Sequence, residues 1–159
     1  MKRILVLSDS HGRKYLIREA IEKNKDNIDM IFHLGDFSQD MMDIAPSQNI
    51  DTFVIKGNMD PFIPKNDGFA YEEMKIDVEG IKIWAIHGHQ YEAHFSNEKL
   101  YKKATEEKIN LVLYGHTHKS EFLKKGEVYI FNPGALKERS YGIIKIDKNE
   151  VEAEILSLS

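Results

Sequence analysis

Five short runs of the chain, RILVLSD, DMIFHLGD, DTFVIKGN, IKIWAIHG and NLVLYGH, are nearly continuous in hydrophobicity and rich in β-branched residues. Each closes on glycine or a small polar residue. A strand with one wet face alternates apolar and polar positions, whereas a strand buried on both faces has no polar side to show. The five runs therefore predict interior strands of a layered α/β protein. Between the first two, GRKYLIREAIEKN sets Leu16, Ile17, Ala20 and Ile21 on one helical face with charges opposite. SQDMMDIA is a shorter helix candidate before Pro46. SNEKLYKKATEEK is a third, with Ser96 as its N-cap and its Lys and Glu residues on a solvated face.

From FAYEEMKIDVEGIKIWAI onward the period changes. Met74, Ile76 and Val78 alternate with charged residues, and Glu79-Gly80 turns the chain into the next strand, which predicts a hairpin. SEFLKKGEVYIFNPG and YGIIKIDKNEVEAEIL read as two more, the second turning near Lys148-Asn149. Strand–helix alternation followed by antiparallel strands predicts an α/β architecture of two packed mixed β-sheets flanked by helices. DPFIPKNDG is the one Pro- and Gly-punctuated loop long enough to act as a lid, or it is a plain connector.

At 159 residues, with 42% hydrophobic and 30% charged, the chain suits one domain spanning residues 1–159. The net charge of −4 supplies no global basic field, so no stable nucleic-acid partner is expected. An anionic substrate would then need positive charge supplied locally, and bound cations are one source. The chain contains no cysteine, which rules out disulfides and thiolate zinc sites and is compatible with a reducing compartment. The apolar run after Met1-Lys2-Arg3 stops at Ser8, short of a signal peptide, and no apolar segment approaches membrane-spanning length. The expected location is the cytoplasm, with no membrane contact.

The ends of the five buried runs carry the candidate chemistry. They finish on Asp9 and His11, on Asp36, on Asn58, on His87, and on His116 and His118. In layered α/β folds the carboxyl ends of neighbouring strands gather at one edge of the sheet. Residues at i and i+2 on extended chain point the same way, so Asp9 with His11, and His116 with His118, can each offer two ligands to one spot. Gly12, Gly35, Gly57, Gly88 and Gly115 accompany them, fitting tight turns and close backbone approach, although glycine marks strand ends in general. D-x-H by itself carries little. Five such endings in one chain carry a metal site.

D-x-H, then G-D, G-N-x-D, a lone H-G and G-H-x-H is an ordered pattern that resembles the calcineurin-like metallophosphoesterases. It runs from Asp9 to His118, and FNPGA is similar to the family's common N-P-G turn. The short length resembles the small, single-domain prokaryotic phosphodiesterase branch. The resemblance implies two β-sheets packed together with helices outside, and two metal ions. One ion would be held by Asp9, His11, Asp36 and His118, the other by Asp36, Asn58, His87 and His116, with Asp36 bridging. Two divalent cations against two carboxylates and a hydroxide leave net positive charge for an anionic phosphoester. Such ligands suit Mn²⁺, taken first, or Ni²⁺, Fe²⁺, Co²⁺ or Zn²⁺, over Ca²⁺ or Mg²⁺. The implied reaction is in-line attack on phosphorus by a metal-bridging hydroxide, with Asn58 serving as ligand and as donor near the phosphate.

One position departs from the pattern. Many members of the family have histidine in G-N-H-D, where it helps protonate the leaving alkoxide; this chain has GNMD, and the Met59 thioether has no proton to give. His89, two residues past His87, is the nearest replacement, or else a solvated loop histidine. The loss favours activated or diester substrates over ordinary monoesters. Asp60 either orients groups at the site or begins the loop. His33 reads as a core or near-site residue, His94 as surface, and Phe62 and Tyr91 as pocket-lining candidates. The expected partner is a small phosphoester, and a homodimer is compatible with so small a hydrolase. The alternatives are a metal-poor scaffold like the retromer subunit of this fold, against which every ligand position is filled, and a nuclease, against which the chain lacks a basic surface. A cyclic-nucleotide phosphodiesterase is a variant of the main reading.

Overall fold

The computed structural model describes residues 1–61 and 70–159. In chain order the elements are β1 (Lys2–Leu7), α1 (Lys14–Asn24), β2 (Met30–His33), α2 (Ser38–Ile44), β3 (Asp51–Ile55), β4 (Ala70–Tyr71) and β5 (Glu73–Val78). There follow β6 (Ile81–Ile86), α3 (Glu98–Glu106), β7 (Leu111–Leu113), β8 (Glu121–Lys125), β9 (Val128–Asn132), β10 (Ser140–Asp147) and β11 (Glu150–Ser157). Phe62 and most of the DPFIPKNDG loop lie outside the described residues.

The strands form two sheets, ordered β11-β10-β1-β2-β3-β4 and β5-β6-β7-β9-β8. The five hydrophobic runs became β1, β2, β3, β6 and β7, and the reason for their continuity is visible in β1. Ile4 and Val6 point between the sheets, where they join Phe32, Ile83, Leu111 and Phe131. Leu5 and Leu7 point the other way, against Leu16, Ile17 and Ala20 of α1 and Met41 of α2. Trp84 and Val112 do the same on the second sheet, packing on Leu100 and Ala104 of α3. Helices thus cover both outer faces of two stacked mixed sheets. Each fully buried aliphatic side chain contributes about 1.5–3 kcal/mol, and truncating Leu113, at 0% exposure, to alanine costs about 2–5 kcal/mol.

β1, β2 and β3 run parallel, as do β6, β7 and β9. Their carboxyl ends supply the loops of the site. All three expected hairpins form, as β5–β6, β8–β9 and β10–β11. Lys148 and Asn149 both take positive φ, 49° and 67°, as a tight two-residue turn demands.

Two details differ from the sequence pattern. Ala70–Tyr71 does not extend the β5 arm; it pairs in parallel with β3 in the other sheet, with Tyr71 opposite Ile55. The cap position of α3 is Asn97 and makes no side-chain cap bond. Ser96 Oγ, one residue earlier, accepts the Glu98 N–H at 3.2 Å. Among the described residues no helix is long and apolar enough to cross a membrane.

Candidate metal centre

Nine polar or charged residues are buried among those described: Ser8, Asp9, Ser10, His33, Asp36, Ser38, Asp40, His87 and Asn132. Burying such groups is costly unless each is partnered. All nine belong to one place, the carboxyl ends of β1, β2, β6 and β9 with the loops that follow and the first turn of α2.

Ligand-type atoms of Asp9, His11, Asp36 and His118 lie within 4.8 Å of one another, the geometry of residues that can hold one cation. His118 Nε2 is 3.1 Å from Asp9 Oδ1. A second group begins at Asp36, whose Oδ1 is 3.5 Å from His87 Nε2. The His87 ring lies 5.1 Å from that of His116. Asp36 therefore stands in both groups. Asn58 is exposed near the start of the connection after β3.

The backbone is bent to bring these side chains inward. Asp9, His11, Asp36, His116 and His118 all have positive φ, between 48° and 67°. That region is unfavourable for residues with a Cβ and persists only where surroundings enforce it. The glycines make room. A Cβ on Gly57 would lie 2.2 Å from Asp36 Oδ1, and one on Gly115 would lie 2.1 Å from Ser8 Oγ.

Hydrogen bonds lock the loops together. Asp60 accepts the N–H groups of Asp36, Ser38 and Gly57 at 2.7–2.9 Å, which makes it the anchor of the Asp36 loop. Ser10 Oγ bonds His33 Nε2 at 3.0 Å and donates to Asp40 Oδ2 at 2.8 Å, while the Gly35 N–H donates to His33 Nδ1 at 3.2 Å. His33 therefore ties the β1 loop to the β2 loop. Fully buried Asn132 donates to Gly115 O at 2.9 Å and to Thr117 Oγ1 at 3.1 Å, gripping the G-H-x-H turn. Ser10, Asp40 and the gripping role of Asn132 escaped the sequence reading, although FNPGA marked where Asn132 lies.

Charge and burial oppose one another here. Burial pushes the Asp9 carboxyl up, and His87, Ser8 and His118 counter that only in part. At Asp36 burial also pushes up, but the adjacent His87 imidazole, 3.5 Å away, and the Met59 N–H outweigh it, leaving a pKa of about 2. Burial pushes His87 down, yet Asp36 and Asp9 raise it above its ordinary value. Two buried carboxylates beside a buried imidazole mark a place that needs positive charge, which a cation at the His87 Nε2 lone pair would supply in place of a proton. His116 is lowered to about 4, by burial and then by His87.

Whether a metal fits can be judged from the orphaned atoms. His87 Nδ1 lies 2.7 Å from the Leu34 carbonyl, which fixes its N–H there and leaves Nε2 as the free acceptor. Nε2 of His87 and Nε2 of His11 are both buried with no hydrogen-bond partner. A backbone carbonyl behind an imidazole whose other nitrogen is bare is the usual support of a metal-binding histidine. The residues fit.

The remaining candidates fall around this cluster. The His89 ring is 5.5 Å from His87 and 6.1 Å from His116, and its Nδ1 is buried without a partner. Burial and the charge of His87 lower its pKa. Met59 is 63% exposed. His94, expected at the surface, is exposed but also lies 5.5 Å from the His116 ring. Tyr91 packs edge-on against Trp84 at 5.3 Å, as part of the α3-side core. Phe37, which the sequence reading passed over, sits 4.8 Å from the His11 ring.

Two stacked mixed sheets whose parallel strands deliver carboxylates and imidazoles to one buried edge define a protein with a candidate divalent-metal centre. The chain belongs to the calcineurin-like phosphoesterase superfamily, whose domain model matches residues 1–149. It is 26% identical over 145 residues to a phosphodiesterase of Methanocaldococcus jannaschii, covering 83% of this chain and 82% of that one. A crystal structure of a Streptococcus pneumoniae protein described as a predicted phosphoesterase superposes with a TM-score of 0.78 at 28% identity, over 98% of this chain and 89% of that one. Vps29 of Entamoeba histolytica, crystallised with Zn²⁺, shares the fold with a TM-score of 0.75 at 22% identity, over 98% of each chain.

Proposed function

We propose that this protein is a phosphodiesterase, acting as one unit over residues 1–159, that hydrolyses small phosphate diesters at two divalent transition-metal ions. Asp9, His11, Asp36 and His118 would hold one ion, and Asp36, Asn58, His87 and His116 the other. The observation that carries this reading is the pair of buried, partnerless Nε2 atoms on His11 and His87, set on either side of Asp36. When bound, such ions offset charge on the phosphoryl oxygens and lower the pKa of coordinated water.

The chain's own residues prepare for that chemistry. Asp36, with a pKa of about 2, is an anion at neutral pH and can serve both ions. His87 is held by the Leu34 carbonyl with its Nε2 lone pair presented. Asn58 has an amide oxygen for a metal and an amide N–H for a phosphoryl oxygen. His89, an imidazole not used as a ligand and 5.5 Å from the His87 ring, supplies an N–H toward the leaving oxygen. Without a proton donor at Met59, the site favours diesters and activated esters over alkyl monoesters. Mn²⁺ is the metal proposed first, and the cytoplasm the location. Filled ligand positions favour the enzyme over a metal-poor scaffold of the same fold.

Asp36→Asn tests the assignment, because it removes the charge common to both groups while keeping the shape. After loading with Mn²⁺ and gel filtration, the variant should retain under one ion per chain by elemental analysis. Its turnover of bis-p-nitrophenyl phosphate should fall at least about 100-fold. A variant with wild-type rates would overturn the reading.

A further inference from the structure

Beside the metal centre, on the side of His116 and His118, lies a cavity of about 450 Å³ that no ligand role yet occupies. Its lining includes His94, Phe95, Asn97, Thr117, Lys119 and Glu121. The volume is in the range of small-molecule sites. It adjoins the centre directly, since Thr117 sits between the two histidines of G-H-x-H and the His94 ring is 5.5 Å from that of His116. A group attached to a phosphate at the centre can therefore reach it.

The lining has two chemical features. The first is an exposed aromatic face. Phe95 is 80% exposed, a large apolar area to leave in water, and the His94 ring abuts it at 4.1 Å, tilted by 41°. The second is a fixed acceptor. Half-buried Glu121 receives the Tyr114 hydroxyl at 2.6 Å and the Asn97 amide at 3.0 Å, both on Oε1. Those two donors hold the carboxylate still, and among the described residues none donates to Oε2. A rigid acceptor lining the same cavity as an exposed aromatic face complements a planar ring carrying an N–H donor. Lys119 in the same lining disfavours a cationic group.

We propose that this cavity seats the organic substituent of the phosphodiester, and that the substituent is a nucleoside whose base carries an amino group. The base stacks on Phe95, with His94 at its edge, and donates its amino N–H to Glu121 Oε2, while the ester phosphate stays at the metal centre. The proposal rests on the phosphodiesterase reading and narrows its substrate class. Phe95 and Glu121 are specificity-determining residues, which act on the choice of substituent.

Binding can be read without metal or turnover. Adenosine titrated into ¹⁵N-labelled protein in EDTA should shift the amides of Phe95, Asn97, Thr117 and Glu121, saturating at millimolar concentration. Phe95→Ala, at an exposed position that leaves folding intact, and Glu121→Gln, which keeps the acceptor for Tyr114, should each weaken that binding at least about fivefold. With Mn²⁺ present, the adenosine 5′-ester of p-nitrophenyl phosphate should show a KM at least about tenfold below that of the methyl ester. In Glu121→Gln the ratio should fall toward one. Equal KM values, with adenosine shifting none of these amides, would overturn the proposal while leaving the phosphodiesterase reading intact. Shifts from choline in place of adenosine would also overturn it, in favour of a cationic substituent. Amide shifts by adenosine in a protein that hydrolyses neither ester would uphold the cavity as a nucleoside site and remove the phosphodiesterase reading.

Discussion

His118 Nε2 stands 3.1 Å from Asp9 Oδ1, although 109 residues separate the two in the chain. The contact joins the last loop of the candidate site to the first. It depends on the G-H-x-H turn being folded over the end of β1, with φ of 67° at His116 and 63° at His118. What holds the turn down is Asn132, through Gly115 O and Thr117 Oγ1.

Asn132→Ala removes that grip without touching a proposed ligand. The expected result is Mn²⁺ affinity weakened about 10–100-fold by isothermal titration, with the circular dichroism spectrum unchanged. Wild-type affinity would show that the turn keeps its shape alone.

The pH dependence of the metal-free protein tests the His33 link. Burial lowers its pKa to about 4 from an ordinary value of 6.5. Between those values the unfolded chain binds a proton that the folded chain refuses, so stability is full above pH 6.5 and falls as pH drops toward 4. His33 should account for about 2 kcal/mol of loss between pH 7 and pH 4.5, on the linkage scale of about 1.4 kcal/mol per pKa unit. His116 contributes with the same sign. Urea unfolding of His33→Gln should therefore show a shallower, not absent, fall. Parallel curves for variant and wild type would contradict the assignment.

In the proposed mechanism the Met59 position is the one from which a proton donor would speed poor leaving groups, and its side chain is 63% exposed. Met59→His should raise turnover of an alkyl phosphomonoester by about tenfold or more relative to bis-p-nitrophenyl phosphate. An unchanged ratio would mean that the position does not face the leaving group.

The five interior strands were legible because strands buried on both faces must be apolar throughout, and a polar residue at each end stands out against such a run. The candidate ligands Asp9, His11, Asp36, His87, His116 and His118 were legible for the same reason. The supports were not. Asp40 reads as a solvated position of a weak helix, yet it closes a bond to Ser10 across 30 residues. Nothing local marks Ala70–Tyr71 as leaving β5 for the other sheet, because that choice is made by pairing with β3. His94 read as surface, and its approach to His116 comes from a reversal at Gly88, with φ of 114° and the Ala93 N–H returning to Gly88 O at 3.2 Å. Residues whose partners are distant in the chain give no periodic signal.

The most direct test is the hydrolysis rate of bis-p-nitrophenyl phosphate by protein stripped of metal with chelator, and again after Mn²⁺ is restored. The expected result is a rate that drops to background on stripping and recovers as two equivalents per chain are added. Hydrolysis that survives complete removal of metal would contradict the account.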